Sequence, residues 1–494
     1  MRSRHVSPGT NELVGVLWKA TDVLYANGGF RIDSGVGYVL RLLVLKFLSD
    51  VTEGPAISGL QRFVVPPSAR WSQLRSYVSS KQGERIDEAC AVLEEANPSL
   101  RGLLKGAGFN SIGMGARILE VLLQTLSTLP HLSGELVSEG KLGEAADGFL
   151  QRLAETSGRE SGEFYTPPSV TRLLAELLAP REGMRICHLF CGVGGLLVEC
   201  TRQVASKSVM NLPHAAASLA LYGQERNAET WVRCRMNLLL HGITDAHLEL
   251  GNVLWSPPLT GQERLLEYDR ILANPPWNLD NWGAERASED SFGRFNPVPP
   301  RSNANYAFVQ HCLATLTEGG RAALLLPRGV LLRSGGEGLI RRKLLEEDRF
   351  EAIIGLPGGV LYGLGLAPVI LVLAKGKPTE RRNRVLFIDA SEAGAKQSRL
   401  LRALSQDDIG AIVSAYRDFG GDPRYVRAVP LDEIRKLDWN LTIERYVKRE
   451  EARERFELDE QLDALVDAES RRDEAARRMD ESVRRLMRFL PPSS

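Results

Sequence analysis

A chain of 494 residues is longer than one hydrophobic core usually organises, so two or three domains are expected. Hydrophobic residues make up 43% of the chain, which excludes a largely disordered protein. The 62 basic residues balance the 62 acidic ones. Because proteins that grip nucleic acid alone are usually basic, such a role here requires local positive charge or a partner.

The six cysteines are scattered and lack the paired spacing of a zinc site or a disulfide framework. We therefore predict no metal site, and the cysteine usage fits a reducing cytoplasm. The charged residues 1–5 are not followed by the apolar core of a signal peptide, and no apolar run reaches membrane-spanning length. These features predict a cytoplasmic protein without a membrane contact.

Residues 1–150 are predicted to form a helical domain. Apolar residues recur at the helical period from residue 13, and residues 39–48 form a strongly apolar helix. Further periodic stretches lie at 85–95 and 116–126. No catalytic constellation occurs among these residues, which predicts an accessory role.

After residue 150 the pattern changes to alternating strands and helices. The strand-like segments are 185–190, 219–225, 247–250, 268–274, 322–327, 352–356 and 369–373. Helix-like segments such as 195–204, 228–241 and 306–316 separate them. This alternation predicts one α/β domain over residues 151–435 with a mostly parallel sheet.

Residues 436–494 are predicted to form a charged helical tail. From Leu458 to Leu490, mostly apolar positions recur by alternating steps of four and three residues, flanked by Arg and Glu. Such a heptad seam is typical of a long helix that packs against a partner helix. A single amphipathic helix that packs on its own chain is the alternative.

The most informative stretch follows the fourth predicted strand and consists of Asn274, Pro275, Pro276 and Trp277. The Asn274 side-chain oxygen and the Pro275 carbonyl can accept both hydrogens of one exocyclic amino group, on a turn that the prolines stiffen. Trp277 offers a flat face for stacking a base, worth about 1–3 kcal/mol. The stretch predicts a pocket for a purine amine, although a proline turn with Trp277 as a core plug explains the tetrapeptide equally well.

The ends of the first three strands predict a nucleotide-type cofactor site. Gly192, Gly194 and Gly195 permit a tight turn and a close approach of backbone to ligand where a helix begins. Glu225, at the end of the second strand, can accept hydrogen bonds from both hydroxyls of a ribose. Asn252 follows the third strand and is placed to reach an adenine ring. A glycine turn alone is a weak signal, and a dinucleotide would fit it as well.

Ligands of open α/β sheets bind outside the carboxyl ends of the strands, so four such ends in succession indicate one site. The spacing from the glycine turn to Glu225 exceeds the ~20 residues of the dinucleotide fingerprint. We interpret residues 206–218 as an inserted loop that lengthens it.

Motifs along nearly the whole chain resemble those of the modification subunit of type I restriction–modification systems, a DNA adenine-N6 methyltransferase. They occupy residues 17–20, 45–50, 162–167, 223–227, 236–242, 274–277, 302–308, 319–323 and 354–357. The resemblance implies an α/β fold with a Rossmann-like, S-adenosylmethionine-dependent methyltransferase sheet, an N-terminal helical domain and a C-terminal long helix. In this permuted class the motif at 162–167 precedes the glycine turn and helps hold S-adenosylmethionine.

The resemblance also implies roles for individual residues. Catalysis is implied for Asn274, Pro275, Pro276 and Trp277. Contact with S-adenosylmethionine is implied for Phe164, Tyr165, Thr166, His188, Phe190, Gly192, Gly194, Gly195, Glu225 and Asn252.

Three of these positions depart from the family's pattern. His188 and Asn252 stand where the family usually has aspartates, and Trp277 stands where it has phenylalanine. A histidine does not supply a carboxylate for the positively charged methionine end of the cofactor. The Asn252 carboxamide still accepts a hydrogen bond from the adenine amine, and Trp277 preserves stacking.

The activity implied by the resemblance is methyl transfer from S-adenosylmethionine to N6 of an adenine flipped out of duplex DNA. The polar loop 278–301 is then predicted to face DNA, and a merely solvated loop is the alternative. The implied partners are a DNA specificity subunit, bound through the C-terminal helix, and a restriction or translocase subunit. Because the chain lacks a Gly-x-x-x-x-Gly-Lys-Ser/Thr loop, we expect it neither to translocate nor to cut DNA by itself. Two alternatives stay open: a catalytically impaired scaffold that binds the specificity subunit, and an amino-methyltransferase that acts on protein glutamine or RNA.

Overall fold

The computed structural model describes residues 9–28, 32–54, 56–76, 80–104, 106, 108–110, 114–132, 134–157, 165–260, 263–398 and 401–447, together with 474 and 479. Residues Met1–Val447 cluster into one unit. Apart from residues 474 and 479, the heptad seam predicted from Leu458 to Leu490 lies outside the described residues. The predicted cofactor residue Phe164 lies outside them too, so both stay predictions.

The N-terminal region is helical, as predicted. Its helices are α1 (Thr10–Gly28), α2 (Ile32–Glu53), α3 (Trp71–Ser76), α4 (Gln82–Ala96), α5 (Ala116–Leu126), α6 (Gly134–Ser138) and α7 (Lys141–Ser157). Helix α7 runs across residue 150, the predicted end of the helical domain; that boundary stays a prediction.

Helix α2 is the centre of the helical region, because every residue from 39 to 48 is buried. The two cations in this stretch are paired. Lys46 Nζ lies 2.6 Å from Asp50 Oδ2 one turn further on, and Arg41 Nη2 lies 3.1 Å from Glu229 Oε1. Since Glu229 belongs to the α/β part of the chain, the second pair ties the helical region to the sheet and its helices.

The α/β part contains further helices and a central sheet. The helices are α8 (Pro168–Leu178), α9 (Gly195–Ser208), α10 (Leu212–Ala217), α11 (Ala228–Leu240), α12 (Asn305–Ala314), α13 (Gly336–Glu346), α14 (Gln406–Asp418) and α15 (Leu431–Lys436). The strands are β1 (Arg185–His188), β2 (Ala220–Glu225), β3 (His247–Leu250), β4 (Tyr268–Ala273), β5 (Leu316–Pro327), β6 (Phe350–Gly355), β7 (Pro368–Ala374), β8 (Arg384–Asp389), β9 (Ala395–Lys396), β10 (Arg402–Ala403) and β11 (Val426–Pro430).

Nine strands form one sheet in the order β11-β8-β6-β7-β5-β4-β1-β2-β3. Strands β5, β4, β1, β2 and β3 run parallel, β7 runs antiparallel to β5 and β6, and β11 is antiparallel to β8. Strands β9 and β10 pair separately as a short antiparallel ribbon. The predicted α/β fold class is confirmed.

Both faces of the central strands are buried. Along β4, Leu272 belongs to one apolar layer, whereas its neighbours Ile271 and Ala273 belong to the other. Successive side chains of a strand point to opposite faces, so a strand covered on both sides reads as a continuous apolar run. That pattern made the central strands recognisable in the sequence.

The prediction of an inserted loop over residues 206–218 is wrong. Helix α9 continues to Ser208, and α10 follows at once. The Asn211 side chain caps α10 by accepting a hydrogen bond from the His214 amide, and Pro213 stands in its first turn. A polar cap with a proline just inside the helix is a helix start signal, so the longer spacing to Glu225 is made by a helix.

No helix in the part of the chain that the structure describes has both the length and the apolar content needed to cross a membrane.

Candidate active site at the carboxyl edge of the sheet

The carboxyl ends of four strands meet at one edge of the sheet. Strands β4, β1, β2 and β3 are parallel neighbours in that order. His188, at the end of β1, pairs with Gly223 of β2 and Leu272 of β4, and Glu225 of β2 pairs with Leu250 of β3. The segments that follow these strands therefore lie side by side.

The glycine turn after β1 is fixed by backbone geometry and by Glu225. Gly192 and Gly194 have positive φ angles of 51° and 87°. A Cβ on Gly194 would also lie 2.9 Å from Cys234 Sγ, so no larger residue fits there. The Glu225 carboxylate accepts hydrogen bonds from the amides of Gly192 (3.2 Å) and Asn227 (2.8 Å), which ties the turn to the end of β2.

Two cavities open at this edge and meet at Phe190, Gly192 and Asn274, which line both. The first has a volume of about 420 Å³, and the second about 500 Å³. Both cavities thus border the glycine turn, at Gly192, as well as Asn274.

Most of the predicted site residues line these cavities. Tyr165, Thr166, His188 and Gly195 line the first, whereas Glu225, Asn252 and Pro276 line the second. Gly194, Pro275 and Trp277 line neither cavity and lie directly beside residues that do.

Asn274 is held in place by Thr166. The Asn274 Nδ2 group donates a hydrogen bond to Thr166 Oγ1 at 3.1 Å. This contact positions the Asn274 amide beside Thr166, and no described side chain or amide donates to Asn274 Oδ1. Thr166, predicted as a cofactor contact, thus lines the first cavity and also forms a hydrogen bond with the side-chain amide of Asn274.

Trp277 is anchored to the neighbouring strand. Its indole Nε1 donates to the Leu325 carbonyl of β5 at 3.1 Å, and the half-buried ring packs against an apolar layer of the sheet. The indole therefore packs partly as a core side chain, and stacking of a base on it stays a prediction.

His188 is buried in the wall of the first cavity. Only 3% of its surface is exposed, and neither ring nitrogen has a hydrogen-bond partner. Burial lowers the pKa of its imidazole to about 3, so the ring is neutral at pH 7. An unpaired polar ring facing a cavity is costly unless a polar ligand meets it there.

Charged residues that the sequence interpretation missed also line the first cavity. Glu199 and Arg202 project from α9, Arg172 from α8 and Asp147 from α7. Arg172 Nε lies 3.8 Å from Glu199 Oε1, and Arg202 Nη1 lies 3.9 Å from Glu199 Oε2. Burial raises the pKa of the Glu199 carboxyl, although both arginines oppose the shift.

Asp147, which helix α7 contributes to this charged group, is held by two neighbouring side chains. Arg202 Nη2 lies 2.9 Å and His241 Nε2 3.2 Å from its Oδ2 atom. Burial raises the pKa of the Asp147 carboxyl, but His241 and Arg202 outweigh this and lower it to about 2. The carboxylate is therefore charged at pH 7, on the cavity wall.

The second cavity has an aromatic wall that sequence interpretation also missed. The rings of Trp255 and Trp282 stack with centroids 5.8 Å apart and planes at 10°, and the Arg286 guanidinium lies 4.7 Å above Trp255. Trp282 and Arg286 belong to the loop that follows Trp277. The loop predicted to face DNA therefore also builds part of this cavity.

Among the described residues, no group of three or more His, Cys, Asp or Glu side chains is arranged to hold a metal ion.

The buried His188 predicts a pH-dependent stability. In the unfolded chain a histidine titrates near 6.5, whereas in the fold its pKa is about 3, so acid protonates the unfolded state first. The stability associated with the neutral ring is complete above pH 6.5 and is lost as the pH falls toward 3. We expect His188→Asn to reduce the slope of unfolding free energy against pH in this window by up to about 1.4 kcal/mol per unit.

Urea denaturation at several pH values measures this slope. The matched control is His131→Asn, which removes an exposed histidine and is expected to follow the wild type. Equal slopes in wild type and His188→Asn would contradict a neutral buried ring.

Comparison with known proteins places this chain in a family. Residues 137–455 match the family model described as N-6 DNA Methylase, and residues 13–124 match the HsdM N-terminal domain. The chain is similar to the HindI methylase subunit of the type I restriction enzyme of Haemophilus influenzae, with 30% identity over 410 residues, covering 78% of this chain and 89% of that one.

The chain is also similar to a second methylase subunit and to a solved structure. The MjaVII methylase subunit of Methanocaldococcus jannaschii is 33% identical over 344 residues, which is 67% of this chain but only 57% of that longer one. The type I restriction–modification methyltransferase subunit from Streptococcus thermophilus superposes with a TM-score of 0.77 at 24% identity, covering 89% of this chain and 100% of that one. The latter shows a shared fold.

The N-6 DNA Methylase match covers more than half of the chain, and the HsdM match covers its N-terminal helices. The resemblance to type I modification subunits is thereby confirmed, and the chain belongs to the N-6 DNA methylase family.

Proposed function

We propose that this chain is the modification subunit of a type I restriction–modification complex and transfers a methyl group from S-adenosylmethionine to N6 of adenine in duplex DNA. The observation that carries the proposal is the place of Asn274. It lies where the two cavities meet, its amide is oriented by Thr166, and its Oδ1 atom faces no described donor.

The residues at the sheet edge fit S-adenosylmethionine. Glu225 and Asn252 line the second cavity and suit a ribose and an adenine ring, respectively. The first cavity suits the methionine end, because the unpaired nitrogens of His188 gain a polar partner there. When bound, S-adenosylmethionine supplies the methyl group as a sulfonium.

The charged side chains of the first cavity suit a zwitterionic amino-acid end. Arg172 offers a guanidinium for the carboxylate of the ligand, and Glu199 offers a carboxylate for its ammonium. Asp147 adds a second negative charge, already partly balanced by Arg202. The carboxylate that His188 does not supply is therefore available from other elements of the fold.

Asn274 and Pro275 act on the target amine. The Asn274 Oδ1 atom and the Pro275 carbonyl accept its two hydrogens, which directs the nitrogen lone pair toward the methyl group. Such a transfer depends on alignment more than on a strong base, so no paired carboxylates are needed. Flipping the adenine costs a few kcal/mol, and the accessible face of Trp277 offsets part of that by stacking.

The scaffold alternative is less well supported. Two cavities of about 420 and 500 Å³ remain open, and residues suited to each end of the cofactor line them. Calorimetric titration with S-adenosylmethionine separates the alternatives, since a scaffold binds none with or without partner and DNA. Assays that offer duplex DNA, RNA and protein side by side test the substrate class.

The role of Asn274 is tested by removing its side-chain amide. Asn274→Ala removes the acceptor for the target amine, so we expect kcat to fall at least about 100-fold, as on loss of one transition-state contact elsewhere. The dissociation constant of S-adenosylmethionine should change less than about twofold, because the aligned contact is made to the base and not to the cofactor. Methyl transfer to unmethylated genomic DNA, measured with the assembled subunits, gives kcat. A fully active Asn274→Ala would refute the role.

Thr166 is predicted to be a positioning residue. Thr166→Val removes the acceptor that orients the Asn274 amide, so kcat should fall about tenfold, the value of one neutral hydrogen bond of about 1.4 kcal/mol, with little change in KM for S-adenosylmethionine.

Thr166→Ser keeps the hydroxyl and should retain activity. In the Asn274→Ala background, Thr166→Val should have no further effect on kcat. Additive losses in the double variant would show that Thr166 acts independently of Asn274.

The tail is proposed to bind the specificity subunit. The unit that contains the sheet ends at Val447, so removing the residues beyond it should leave folding and S-adenosylmethionine binding intact. Co-purification with the specificity subunit should be lost on truncation after Val447, because the heptad seam lies in the removed segment. A truncated chain that still assembles would contradict this role of the tail.

A further inference from the structure

We propose that a basic, glycine-walled cavity next to the candidate active site binds a backbone phosphate of the substrate DNA. This inference rests on the proposed function, since it takes duplex DNA as the substrate. The cavity has a volume of about 300 Å³, and its wall includes Gly358, Gly359, Gly365, Lys396 and Arg402.

The cavity lies at the same edge of the sheet as the active site. Strand β6 is antiparallel to β7, which is antiparallel to β5, so β6 runs in the direction of β4 and β5. The loop 356–367 therefore leaves β6 at the carboxyl edge. Leu401 lines both this cavity and the first cavity of the candidate active site. The ring centroids of Tyr362, in the loop, and Tyr165, at the first cavity, are 5.8 Å apart.

Backbone forms much of the cavity wall. A Cβ on Gly358 would lie 2.5 Å from the Gly365 carbonyl oxygen, so the two arms of the loop meet without side chains between them. Gly359 has a φ angle of 79°, and its carbonyl accepts a hydrogen bond of 2.7 Å from the Arg402 amide. This bond joins the loop to β10, and it brings the glycine backbone and the cationic side chains to one concave surface.

The positive charge at the cavity is not neutralised by a described carboxylate. Arg402 Nη1 donates to the carbonyls of Ala393 (3.4 Å) and Gly394 (3.1 Å), contacts that orient the guanidinium without removing its charge. Lys396 is exposed and forms no ion pair with any described residue. The acidic Asp408 instead accepts hydrogen bonds from the amides of Gly394 and Ser405.

Lysine, arginine and backbone amides are the groups with which proteins hold nucleic-acid phosphates, and such contacts set position and not sequence preference. Because the chain as a whole has no net charge, electrostatic attraction to DNA requires local positive charge, and the basic cavity beside the site supplies it. A phosphate held here would fix the strand near the flipped adenine, whereas sequence reading stays with the partner subunit.

The test measures binding of the full-length chain to a fluorescent duplex of about 30 base pairs over a range of salt concentrations. Lys396→Gln removes one phosphate contact, so the affinity at low salt should fall about threefold to tenfold. The slope of log K against log salt should become shallower by about 0.9. Gly365→Asp, at a position with no neighbour within 4 Å of a new Cβ, should weaken binding without changing the melting temperature.

The matched control is Lys207→Gln, which makes the same charge change in the last turn of α9, at the end remote from the glycine turn. It should bind DNA like the wild type. Equal affinities and slopes for Lys396→Gln and Lys207→Gln would overturn the phosphate site and leave the proposed methyltransferase function standing.

Three further outcomes bear on the inference. A wild type that neither binds duplex DNA nor methylates it with its partner subunits would overturn both the site and the proposed function. Tight binding of inorganic phosphate that Lys396→Gln abolishes, with unchanged DNA binding, would assign the cavity to a small anion and overturn the DNA proposal. Weaker DNA binding by both cavity variants, with unchanged S-adenosylmethionine binding, would support it.

Discussion

The parallel alignment of β4, β1, β2 and β3 is the constraint on which the site depends. Because the pairs between His188, Gly223 and Leu272 hold these strands in register, their following segments emerge side by side. The glycine turn, Glu225 and Asn274 then reach one edge although they are far apart in sequence. A slip of one residue in this register would exchange the two faces of a strand and disperse the site, so burial of both faces also protects its geometry.

The N-terminal helices form ion pairs with helices of the α/β part. Arg41 pairs with Glu229 of α11, and Asp147 of α7 pairs with Arg202 of α9 on the wall of the first cavity. Asn237 of α11 links α7 to the glycine turn, because its Nδ2 donates to Asp147 Oδ1 at 3.3 Å and to the Val193 carbonyl at 3.0 Å. Changes in the packing of the helical region would therefore shift side chains at the first cavity and the glycine turn.

The sequence predicted those features that local rules determine. The apolar runs of the central strands, the glycine turn and the proline-stiffened Asn274 each carry a short-range signal, and the structure brings them to one edge. Asp147 and the Trp255–Trp282 stack carry none, because their role arises only when distant segments pack together. The end strands β8 and β11 were also missed, since β8 lies beyond a proline turn and β11 closes the sheet by antiparallel pairing. The helix capped by Asn211 had a local signal that was read as a loop.

The central claim is that Asn274 grips the target amine where the two cavities meet. A structure of the assembled subunits with duplex DNA and a non-reactive analogue of S-adenosylmethionine tests it most directly. The account predicts an extrahelical adenine whose N6 lies about 3 Å from Asn274 Oδ1 and from the Pro275 carbonyl, with the analogue spanning both cavities. An adenine amine held by other groups, or an analogue bound away from the glycine turn, would contradict it.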